Sequence, residues 1–181
     1  MDQKILLLLL SERNIDLWDE INRIYKIELE ESPEDAYLTY FDEEVVVIEI
    51  NMDNLNQAAF THELLHVYLK ARGLEIIWDL RKYINEDLVL KNMISTSLRV
   101  HLGNCLEHVK MLPMFLSRGF KNEDFLLDYH MRILDDEGML TLEQNFYQEG
   151  RPSMKMLDQF IDKFFSIKAS NNPEFNYSVY L

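Results

Sequence analysis

The chain has 181 residues, 48% of them hydrophobic, with one cysteine and a net charge of −14. That length suits one domain with a sizeable core, and the apolar share excludes a disordered chain. The charge argues against nucleic acid as a partner and against docking on anionic membranes, because phosphate-rich surfaces repel it; a neutral or basic peptide is compatible with it.

Cys105 stands alone, which rules out an intramolecular disulfide and a thiolate-rich metal site and suits a reducing compartment. The N-terminal run "KILLLLL" has an apolar core too short for a secretory signal, and "SERN" follows where small cleavage-site residues would stand. No other stretch approaches the roughly 20 apolar residues of a membrane span, so the expectation is a cytoplasmic protein with no membrane partner.

Residues 3–10 fit either a buried strand or the start of a helix, which periodicity cannot separate in so short a run. Residues 14–30 read as one helix, with Ile15, Trp18, Ile21, Ile24 or Tyr25, and Ile27 at helical spacing. Pro33 then breaks the chain. "AYLTYF" (36–41) and "EVVVIEI" (44–50) read as strands, joined around "DEE" in a hairpin. From residue 54 onward nearly everything reads as helix, with Gly73, Gly119, Gly138 and Gly150 as helix stops. The predicted class is α+β, a small N-terminal sheet with a mainly helical remainder. A single domain is expected over 1–181, with helix plus sheet in 1–53, metal-binding helices in 54–118 and a helical C-terminal part in 119–181.

Chemistry concentrates in "HELLH", residues 62–66. On a helix His62 and His66 share one face, roughly 6 Å apart, a spacing at which two imidazoles converge on one ion with Zn–N bonds of about 2.0–2.1 Å. The helix around them is apolar nearly all round and therefore buried, and polar groups there need partners. A metal supplies one. Glu63 lies about 100° round the helix from His62, beside the metal face, where it can take a proton from metal-activated water as general base.

"HELLH" on a helix preceded by the strand "EVVVIEI" resembles the zincin superfamily of zinc metallopeptidases, over roughly residues 37–118. The resemblance implies a zinc-dependent hydrolase acting on a peptide or protein. It also implies that the active-site helix follows an edge strand, whose free edge holds the substrate in extended form. Position 72 is Arg72, which excludes the branch that takes a third histidine there, and leaves the gluzincin-like branch with a glutamate from a later helix. In "VHLGNCLEHVKMLPMF" that analogy points to Glu107, although Met111 stands where many such proteins carry an aspartate. The helical wheel points instead to His108, with Asn104 one turn before it as the group that orients a ligand. We take His108 as third ligand, with Glu107 as the alternative.

Other readings compete. His101, Asn104 and His108 can form a polar seam between helices, and His130, Tyr129 or Tyr147 can stabilise an oxyanion, although each also fits an ordinary amphipathic pattern. A di-iron bundle would need a second Glu-x-x-His, and Leu98, Cys105 and Leu127 occupy the required positions before the other histidines. The remaining alternative is a zincin-like binding or regulatory protein that no longer cleaves anything.

Overall fold

The computed structural model describes residues 3–34, 36–42, 45–126, 129–148 and 150–178. Gln3–Leu9 is a helix (α1), and Ile15–Ile21 a second (α2) that buries Leu17, Trp18 and Ile21. Between them the buried Asn14 amide donates to the Leu9 carbonyl at 2.9 Å and to Thr61 Oγ1 at 3.0 Å. One side chain thus joins the α1–α2 corner to a helix far along the chain.

The predicted helix over 14–30 stops at Ile21, and Lys26–Glu31 is a strand, β1. Ile27 and Leu29 fit a helical stripe, but Lys26–Glu30 also alternates polar and apolar, which is the strand period. The partner decides. β1 pairs in parallel with β3 (Val45–Ile50), which sets Ile27 opposite Val46 and Leu29 opposite Ile48. These side chains pack against the core that buries Val46, Ile48 and Ile50.

β2 (Leu38–Asp42) pairs antiparallel with β3, as the hairpin reading requires; positions 43 and 44 of its turn lie outside the described residues. The sheet order is β1-β3-β2. The strand preceding the histidine helix is therefore central rather than at an edge, a correction to the expectation above. Its hydrogen bonds are taken on both sides, and the edges belong to β1 and β2.

Gln57–Ala71 forms α3, capped by Asn56, whose side-chain oxygen accepts from the amides of Ala58 and Ala59 at 2.8 and 3.2 Å. The helix ends as predicted at Gly73, φ 76°, with Leu74 N–H donating to Leu69 and Gly73 N–H to Lys70. The other helices are α4 (Ile76–Glu86), α5 (Leu88–Met93), α6 (Thr96–Ser117), α7 (Asp136–Asn145) and α8 (Met154–Ser170). Gly119 ends α6, but Gly138 lies in the first turn of α7, where Asp135 accepts from its amide. Gly150, φ 77°, stands between two short strands, β4 (Tyr147–Gln148) and β5 (Arg151–Pro152). Neither is a helix stop.

The chain divides into two compact units, 1–74 with 111–127 and 75–110 with 128–181. The first holds the sheet, α1–α3 and the C-terminal turns of α6 around a core that includes Leu65, Val67, Met111 and Phe115. The second contains a smaller cluster of Leu134, Leu142, Met156, Ile167 and Tyr177. In it a Cβ on Gly103 would stand 2.3 Å from Ile77 Cγ1 and 3.1 Å from the Ile77 Cα, so α4 and α6 touch where no side chain fits. Gly103→Ala is expected to lower stability by about 1–3 kcal/mol, the usual overpacking cost, despite alanine's better helix propensity. Urea denaturation of both proteins checks this. Among the described residues no helix is long and apolar enough to cross a membrane.

Candidate metal centre

His62 and His66 sit one turn apart on α3, and their Nε2 atoms stand 3.2 Å from each other. Burial of Phe60, Leu64 and Val67 fixes the rotation of the helix, so the facing of the histidines follows from the apolar pattern. The Phe125 ring packs on His62 with centroids 4.7 Å apart.

The third member is His108, on α6. Ligand atoms of His62, His66 and His108 all lie within 4.8 Å of one another. Glu107, the alternative drawn from the family pattern, is not in this group. His108 shares the buried side of α6 with Cys105, Met111, Leu112 and Phe115, whereas Glu107 is only half-buried. The group thus contains the residue that the helical wheel singles out.

A tetrahedral ion with bonds of about 2.0–2.1 Å holds its ligands about 3.3 Å apart. The His62–His66 separation of 3.2 Å meets that requirement. The donor set also fits, because imidazole is a ligand of zinc, copper, iron and nickel. His108 is buried, and His62 and His66 are half-buried. Three histidines thus lie close enough to bind a metal ion.

Glu63 is buried, and its Oε2 accepts from Thr39 Oγ1 at 2.7 Å. Burial raises its pKa above the ordinary carboxylate value, opposed by the nearby His66 and by the Thr39 hydrogen bond. Sequence reading missed Thr39. Its register opposite Ile48 places it on the inward face of β2, and nothing within the strand's own sequence announces that contact.

The polar seam of His101, Asn104 and His108 does not form as such. His101 Nε2 faces α8, 2.9 Å from Ser166 Oγ and 3.2 Å from Asp162 Oδ1, with Cys105 Sγ at 3.2 Å. Asn104 lies half-buried on α6, one turn before His108. Of the oxyanion candidates, His130 is mostly exposed and faces Glu174 at 3.8 Å, Tyr147 is exposed, and Tyr129 is buried with its carbonyl accepting from Asn172. None of these contacts involves the histidine group. Comparison with protein-family models, curated proteins and solved structures gave no match.

Proposed function

We propose that the chain is a zinc-dependent metallopeptidase of the zincin type, in which His62, His66 and His108 hold the ion and Glu63 is the general base. The observation that carries this reading is the approach of three imidazoles with a buried carboxylate next to one of them on the same helix. When bound, zinc would polarise the scissile carbonyl and make water a nucleophile near neutral pH.

The rest falls to the chain's own side chains. Glu63 takes a proton from the attacking water and passes it to the leaving amine. Thr39 holds the carboxylate by donating to Oε2, which fixes the direction from which the proton is accepted. Thr39 belongs to β2, an edge strand, so an extended peptide adding to that edge would run beside the residue that positions the base. The lone buried Cys105 suits a cytoplasmic setting.

Incubating the zinc-loaded protein with a peptide library tests the proposal. Cleavage at discrete bonds is expected, lost on addition of a chelator and restored by zinc. A folded, zinc-loaded protein that cleaves nothing would favour the silent binding protein instead. Within an active enzyme, Thr39→Val is expected to keep zinc and fold while turnover falls roughly 10- to 150-fold, the worth of a hydrogen bond to a charged group. Thr39→Ser should restore most of it.

A further inference from the structure

The inward face of β2 makes two contacts to α3, two residues apart. Thr39 reaches Glu63, and the Phe41 ring lies under Lys70, whose Nζ stands 3.9 Å from the ring centroid. On α3 Lys70 continues the row of His62 and His66, at four-residue steps along one face. The strand advances about 6.8 Å over two residues, and the helix about 6 Å over four. Both elements therefore lead from the histidine group to the same ammonium.

That ammonium stands apart from the other cations of this chain. Acidic side chains outnumber basic ones by 32 to 18, and Lys26, Arg72, Arg118, Lys121 and Arg132 each meet a carboxylate. Lys70 is half-buried, and among the described residues it meets the Phe41 ring and no acceptor. A ring face attracts a cation without engaging its three N–H donors, which stay open to a second partner. Phe41 is 36% exposed on an edge strand, so the ammonium is presented where an added strand would run.

We infer that Lys70 selects the substrate through a carboxylate. This rests on the peptidase reading and sharpens it. In a peptide paired with β2, residues two apart share a face, so when one passes Thr39 the next on that face passes Phe41 and meets Lys70. An Asp or Glu side chain and a free C-terminal carboxylate both supply the required group. Elsewhere the substrate is neutral or basic, because the net charge of −14 opposes further acids.

Fluorescent decapeptide libraries, degenerate in uncharged residues, test the inference. One pair has a central Glu or Gln with an amidated end, and the other a free or amidated C-terminus. Binding is read by anisotropy on the zinc-loaded Glu63→Gln protein, which needs no turnover, and kcat and KM are read on the protein with Glu63 intact. The acid is expected to bind roughly 10-fold or more tighter than the amide in one pair, which identifies the source of the carboxylate. In turnover the difference should lie in KM. Lys70→Arg should keep the preference, Lys70→Met should abolish it, and Lys70→Glu should turn it toward peptides with a fixed Lys. Acid preference that follows Lys70 without any cleavage supports the inference and removes the peptidase. Cleavage with acid and amide treated alike keeps the peptidase and overturns the inference, as does a preference that survives in Lys70→Met. Failure of every library to bind overturns it too.

Discussion

Replacing His108 by alanine is expected to cost the chain its zinc, whereas Glu107→Ala is expected to leave zinc bound. His108 is the buried member that approaches His62 and His66, while Glu107 is half-buried and outside that group. Loss of a group that merely orients a ligand weakens metal binding by about 10–100-fold, so loss of a ligand from a set of three should exceed that range. Elemental analysis after exhaustive dialysis, with chelator competition for affinity, separates the two variants. Zinc should also raise the melting temperature of the wild type, since ligand at a hundredfold excess over its dissociation constant adds about 2.7 kcal/mol. That increment should vanish in His62→Ala, His66→Ala and His108→Ala. A Glu107→Ala protein that loses zinc while His108→Ala keeps it would return the third position to the family pattern.

Glu63→Gln is expected to keep zinc and fold while turnover falls by roughly 10² to 10⁴, the contribution of a positioned acid–base group. The amide has nearly the same shape and can still accept from Thr39, so the site's frame survives. The same change should raise the stability of the metal-free protein. It removes a carboxyl that burial makes costly to ionise, as the upward direction of its pKa indicates. A gain in melting temperature together with a loss of turnover is the signature of a group kept for chemistry at the expense of the fold. Equal cleavage by both proteins, at equal zinc occupancy, removes Glu63 from the reaction.

Local features were legible in the sequence. The four-residue spacing of His62 and His66, the apolar surround of α3 and its stop at Gly73 all depend on residues within a few turns of each other. So did the β2–β3 hairpin. What escaped depended on distant partners. Residues 26–31 carry both a helical and an alternating pattern, and only pairing with β3 selects the strand. The helical wheel singles out His108 over its neighbour Glu107, but the approach of His108 to His62 and His66 is visible only with α3 in place. Thr39 became visible only once the register of β2 was set, and so did the seat of Lys70 over Phe41. Gly138 and Gly150 show that a glycine marks a change of direction or a cap without saying of which element.

The central strand of the sheet is also the last of its three to leave the ribosome, and this sets the order of assembly. β1 has no partner until β3 has been made, because its neighbour in the sheet is β3 alone. β2 meets β3 across a short connection, a closure on the microsecond scale, so the hairpin is the seed and β1 joins its free side afterwards. During that wait β1 is an unpaired strand with two aliphatic side chains, Ile27 and Leu29, open to any other edge. Glu28, Glu30 and Glu31 interrupt and flank them. Glu28 pairs with Lys26 in the finished protein, and in the nascent strand the three carboxylates guard against the wrong neighbour; replacing Glu30 and Glu31 with threonine should leave the native sheet intact while increasing aggregation during refolding.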